Sequence, residues 1–62
     1  MKVREMISLV EGDGWYLVAT RGSHRQFKHA EKPGRVTIAG KLSAELHPKT
    51  RASILRQAGL RR

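Results

Sequence analysis

The sequence predicts a two-layer α+β domain in the order α-β-β-β-α: a three-stranded antiparallel sheet with both helices on one face and the other face open. Three observations predict it. Apolar residues recur at helical spacing near each end of the chain, the middle is built of short runs rich in aromatic and β-branched residues, and Gly-Ser and Pro-Gly pairs stand where those runs need turns.

In the first element, Lys2 to Asp13, Val3, Met6, Ile7 and Val10 fall at i, i+3, i+4 and i+7, one stripe of a helix that Leu9 widens. Gly12 and Gly14 around Asp13 stop it. Trp15 to Thr20 reads as a strand, Arg21-Gly22-Ser23 as a turn, and His24 to His29 as the returning strand, so the pair forms a hairpin. Glu31-Lys32-Pro33-Gly34 carries Pro and Gly in the central positions of a type II turn, leading into a third strand over Arg35 to Ala39. Gly40 to His47 is expected to be a semi-ordered loop pinned by Leu42 and Leu46. Pro48 suits the first turn of a helix, Ala52, Ile54, Leu55 and Ala58 supply its stripe, and Gly59 ends it with Leu60 as the closing apolar contact. Lys49, Arg51, Arg56, Arg61 and Arg62 give this helix its charge.

A chain of 62 residues makes one domain, here residues 1–62. It hides only about 60% of its unfolded surface, too little for an enclosed cofactor pocket, so no cofactor is expected and any chemistry sits on the surface. The absence of cysteine removes disulfides, thiolate zinc sites and cysteine nucleophiles together. Glu5 and Glu11 interrupt the segment after Lys2 and Arg4, and the longest apolar run, Trp15 to Ala19, is far short of the ~18 residues of a membrane span. A cytoplasmic protein without membrane contact is the expectation.

The formal net charge is +8, distributed as +1 over residues 1–31 and +7 over residues 32–62. Such a surface favours polyanions, either nucleic acid or an acidic protein.

Strand alternation makes a specific statement about the second strand. With Phe27 in the core, Arg25 and His29 share its side, and His24, Gln26 and Lys28 project to the open face. His24 is then exposed and rooted on a sheet directly after a turn. An imidazole with an unperturbed pKa of ~6.5 exchanges protons at neutral pH, as cleavage of a phosphodiester through a ribose 2′-hydroxyl requires, and Lys28 on the same face could hold the phosphate. A lone surface histidine is equally an ordinary solvated side chain, and spacing alone does not choose. His24, His29 and His47 lack zinc-like spacing, so no metal site is expected. Of the three aromatics, Trp15 and Phe27 are needed in the core, leaving Tyr16 as the one available for stacking on a base.

Gly14-Trp15, then Gly22-Ser23-His24-Arg25 with Phe27, then Thr50 with Ile54-Leu55-Arg56-Gln57-Ala58-Gly59-Leu60, in a chain of this length, resemble the HicA toxins of bacterial toxin–antitoxin pairs. The resemblance covers nearly the whole chain. It implies a fold similar to double-stranded-RNA-binding domains, activity as a messenger-RNA interferase, a catalytic role for His24 with Gly22 and Ser23 as the turn that presents it, and a HicB antitoxin as partner. The sequence departs from the commonest family pattern after the third strand, where a Pro-x-His step is frequent and this chain reads Ala39-Gly40-Lys41; His47 is not carried over as a second catalytic histidine.

The leading expectation is therefore a metal-independent endoribonuclease toxin. Lys28, Arg25, Lys41, Lys49 and Arg51 are the candidate RNA contacts, and His24 is the acid or base. The alternative is a non-catalytic basic module that holds RNA by shape and phosphate contacts, and a weaker third reading is a subunit whose charge binds an acidic protein.

Overall fold

The first helix, α1 (Val3–Gly12), buries Val3, Met6 and Val10 and leaves Leu9 exposed, so the apolar stripe is one residue narrower than its sequence. Its start is built from two directions. Lys2 N–H donates to Glu5 Oε1 at 2.7 Å, the half of a capping box that a lysine at the cap position permits, since an ammonium accepts nothing. The next N–H groups, of Val3 and Arg4, donate to the carbonyls of Ala44 (2.9 Å) and Leu42 (3.1 Å), so a distant loop satisfies the free donors of the first turn. The Lys2 N–H bond, with the neighbouring positive charges, holds the Glu5 carboxyl below the usual carboxylate range. The computed structural model describes residues 1–60; Arg61 and Arg62, counted above with the charge of the last helix, lie outside the described residues.

Three strands follow, β1 (Trp15–Arg21), β2 (His24–His29) and β3 (Val36–Ile38), antiparallel in the order β1-β2-β3. The third strand is shorter than the expected Arg35 to Ala39. Gly34 (φ 80°) and Gly40 (φ 110°) flank it in conformations no extended ladder contains, and only Val36, Thr37 and Ile38 pair, with Phe27, Gln26 and Arg25. The Pro33-Gly34 step bends the chain with the positive φ at Gly34 that was expected, but no backbone hydrogen bond closes the turn.

The loop before the last helix also departs from expectation. Leu46 is buried and Leu42 is half exposed, so only one of the two leucines pins it. The remaining hold comes from the N-terminal residues: Lys2 bridges Glu45, Leu46 N–H donates to the Met1 carbonyl at 2.9 Å, and the Met1 ammonium meets the Glu45 carboxylate at 3.1 Å.

The second helix, α2 (Pro48–Gln57), begins with His47 as its cap, whose Nδ1 accepts from Lys49 N–H at 3.2 Å, and with Pro48 in its first turn. It ends in a Schellman motif. Gly59 (φ 69°) donates to the Arg56 carbonyl, Leu60 donates to that of Leu55 at 2.8 Å, and the two leucines pack partly buried against the core. Ile54 and Ala58 are buried, whereas Ala52, expected in the stripe, is exposed. The helices cover the sheet face carrying Trp15, Phe27, Val36 and Ile38, α1 beside β1 and α2 beside β3, and these side chains with Val3, Met6, Val10, Leu46, Ile54 and Ala58 are the core.

Candidate active site

The Gly-Ser-His triplet is a two-residue hairpin. Arg21 pairs with His24 across it, Gly22 has φ 59° and Ser23 a negative φ, which is the pattern of a type II′ turn, whose first central residue is glycine because its φ is positive. A Cβ at Gly22 would meet nothing within 4 Å, so its requirement for glycine is purely conformational. The turn is braced from below: Arg25, on the core side of β2, donates from one guanidinium nitrogen to the carbonyls of Gly40 (3.0 Å) and Ser23 (3.2 Å). His24 thus leaves a fixed turn as the first residue of a strand, exposed, and makes no side-chain hydrogen bond among the described residues.

The expected faces of β2 are observed: Phe27 is buried, His29 is mostly buried on its side, and His24 and Lys28 are exposed on the other. What sequence alternation misses is β1. Its register slips between Leu17 and Ala19, leaving Val18 as the extra residue of a bulge. Strict alternation from buried Trp15 sends Leu17, Ala19 and Arg21 to the helix side. The bulge instead pairs Ala19 with Gln26 and Arg21 with His24, on the open face. His24, Arg21, Gln26, Ala19 and Thr20 line one open depression of about 530 Å³. No carboxylate lines it. Gln26 is held from the β3 side, where Arg35 donates to its Oε1 at 2.6 Å. Tyr16 pairs with Lys28 further along the face and is half exposed, as expected of the one aromatic outside the core.

The other candidates lie elsewhere. Lys41 is exposed in the loop after β3, and Lys49 and Arg51 are exposed in the first turns of α2. Arg51 borders a separate groove between the helices with Met1, Leu9, Leu55, Arg56 and Leu60, so the structure does not bring it to the His24 depression. Two of the basic residues in the charged half of the chain are spent internally, Arg35 on Gln26 and Lys32 on Asp13.

That second contact belongs to a strut behind the sheet. His29 Nδ1 accepts from the N–H groups of Glu31 (3.0 Å) and Lys32 (3.1 Å), so its proton sits on Nε2 and is donated to the Asp13 carbonyl at 2.7 Å. Trp15 meets the ring edge-on, with centroids 5.3 Å apart. Lys32 Nζ donates to Asp13 Oδ2 at 2.6 Å and to the Ala58 carbonyl at 3.0 Å, tying the ends of α1 and α2 together and holding the Asp13 carboxyl below its ordinary value. Gly14 (φ 105°) is part of this strut, because a Cβ there would stand 2.7 Å from His29 Nε2. The three histidines therefore occupy three different environments, one on the open face, one in the strut and one capping α2, and no group of three potential metal ligands gathers among the described residues.

The sequence matches the family described as "HicA toxin of bacterial toxin-antitoxin" over residues 3–60. Among solved structures, it is similar to a chain of a toxin–antitoxin complex from Streptococcus pneumoniae, at 33% identity and a TM-score of 0.77, covering 97% of this chain and 98% of that one. No curated protein matches. The glycines that the sequence pattern contributes, Gly14 under the His29 ring and Gly22 in the turn before His24, each have a structural requirement in this fold. With the match spanning the domain from the first turn of α1 to the close of α2, the chain belongs to the HicA family of bacterial toxins.

Proposed function

We propose that the chain is a messenger-RNA interferase that cleaves RNA through His24 without a metal ion, and that a HicB-like antitoxin keeps it silent. One observation carries the catalytic part: an exposed imidazole, rooted on a sheet at the end of a fixed type II′ turn, in a depression bounded by basic and amide side chains and by no carboxylate. His24 takes the proton of a ribose 2′-hydroxyl. The 2′-oxygen bonds to phosphorus as the bond to the 5′-oxygen breaks, leaving a 2′,3′-cyclic phosphate and a 5′-hydroxyl. One imidazole does not hold both protons at once, so the 5′-oxygen is protonated by water and the hydroxide formed is neutralised by the His24 imidazolium. Lys28 on the same face, with Lys41, Lys49 and Arg51 elsewhere on the surface, holds the RNA by its phosphates. Arg25, expected among these contacts, is turned to the core side and bound to the Ser23 and Gly40 carbonyls, and braces the turn instead.

The family and the similarity to a toxin–antitoxin complex support the antitoxin partner. The place of action is the cytoplasm, where messenger RNA is translated; no described helix is long and apolar enough to cross a membrane.

The test is cleavage of RNA by the purified protein in EDTA, with His24→Ala beside the wild type. Cutting that survives chelation and disappears in the variant, while its fold and RNA affinity persist, supports the reading. RNA binding without cutting by the wild type identifies the alternative, a binding module.

A further inference from the structure

Arg21 is the residue that the bulge at Val18 delivers to His24. The two are partners in the last pair before the turn, so their side chains leave the same face of the sheet on either side of Gly22-Ser23, and both line the depression. Arg21 is exposed and makes no hydrogen bond or ion pair among the described residues, whereas Arg25, Arg35 and Lys32 around the sheet are each bound to a protein acceptor. Among the described residues that line the depression it is the one guanidinium, and no carboxylate there competes for it.

Gln26 completes the pattern. Arg35 has only donors, so the amide oxygen of Gln26 is the atom turned to it, and Nε2 remains as a donor for whatever fills the depression. A base, a guanidinium and an amide N–H around one hollow match the needs of an in-line displacement at phosphorus, where negative charge builds on two non-bridging oxygens as the 2′-oxygen attacks.

We propose that Arg21 is a catalytic residue that binds the non-bridging oxygens of the scissile phosphate and stabilises the charge of the five-coordinate phosphorane, with Gln26 as a second donor. This rests on the reading of His24 as the base in RNA cleavage. The Gly22-Ser23 turn sets Arg21 beside His24, and the bulge at Val18 is what lets that pairing coexist with Trp15 buried beneath the same strand.

The experiment compares wild type, Arg21→Ala, Arg21→Lys and His24→Ala in single-turnover cleavage of an RNA, alongside their affinity for the same sequence fully 2′-O-methylated, which binds but lacks the attacking hydroxyl. Arg21→Ala is expected to lower the rate at saturating protein by about a hundredfold, in the range for loss of one donor to a developing oxyanion. Its affinity for the methylated RNA should change by only a few fold, as for one phosphate contact among several. Arg21→Lys, which keeps the charge but not the two-pronged donor, should recover part of the rate. Thermal unfolding of each variant excludes misfolding, and an Arg21→Ala that does not fold leaves Arg21→Lys to decide, a full wild-type rate there overturning the need for a guanidinium. If Arg21→Ala cuts at the wild-type rate when saturated and loses only affinity, Arg21 is a binding contact and the proposal is wrong. If the wild type itself does not cut, the nuclease reading fails, and with it the premise of this one.

Discussion

Replacing Gly14 by alanine puts a Cβ 2.7 Å from Nε2 of His29, at a backbone φ of 105° that L residues rarely adopt. The cost has two parts. Conformational strain at positive φ is about 1–2 kcal/mol, and pushing the imidazole off the Asp13 carbonyl leaves a mostly buried donor and acceptor unpaired, about 1–3 kcal/mol more. Gly22 separates these effects, because it shares the positive φ (59°) but has open space where its Cβ would stand, so Gly22→Ala should show the strain alone. Gly12 supplies the control: it is the last residue of α1, its φ is not positive, and a Cβ there meets nothing, so Gly12→Ala should stabilise by roughly 0.5 kcal/mol through helix propensity. Urea or thermal unfolding followed by circular dichroism should rank the variants Gly12→Ala above wild type, then Gly22→Ala, then Gly14→Ala. For a domain of this size the midpoint falls by roughly 4–8 °C per kcal/mol, well within resolution. A Gly14→Ala protein no less stable than Gly22→Ala would show that the His29 strut is not what fixes glycine at position 14.

Three further outcomes follow from the same contacts. Asp13, held below its ordinary pKa first by the Lys32 hydrogen bond, contributes stability that is complete above about pH 4 and is lost as the pH falls through its lowered folded value. Asp13→Asn should therefore be less stable than wild type at neutral pH, with the gap closing in acid; a gap that widens there would reverse the sign of the linkage. His47→Ala removes the α2 cap and should cost about 0.5–1 kcal/mol in urea unfolding, while His47→Ser should restore most of it, and the absence of rescue would locate the role of His47 elsewhere. The logarithm of RNA affinity should fall linearly with the logarithm of salt concentration, and an affinity indifferent to salt would remove phosphate contacts as the means of holding RNA.

Much of this fold is readable residue by residue, because its local signals agree with one another. Val3, Met6 and Val10 mark a helix face, Phe27 fixes which way β2 points, and Pro48 at one end of α2 with Gly59-Leu60 at the other bracket a helix by capping chemistry alone. Where the reading fails, a distant partner decides. Leu42 looks like an anchor, but the chain near it is held by its carbonyl, which caps α1, so the side chain is left outside. Lys32 counts as surface charge until Asp13 and the Ala58 carbonyl claim it.

The candidate site divides in the same way. His24 and Lys28 are found by alternation because β2 is regular and Phe27 sets its phase. Arg21 is hidden because the phase of β1 changes at Val18, and no residue type in Trp15 to Arg21 announces a bulge; the signal lies in the pairing of β1 with β2. The hairpin offers a way to find it, since a two-residue Gly-Ser turn makes the flanking residues partners, and partners share a face. Gln26 was legible as an open-face residue, but its fixed amide depends on Arg35 from the neighbouring strand.

The role of His24 is tested most directly by the chemistry of the ends it leaves. RNA incubated in EDTA with the wild type should carry 2′,3′-cyclic phosphate and 5′-hydroxyl termini at each cut, with no cut in RNA 2′-O-methylated at that nucleotide and none by His24→Ala. Termini bearing a 3′-hydroxyl and a 5′-phosphate, or undiminished cutting by His24→Ala, would contradict a histidine that works by deprotonating the ribose.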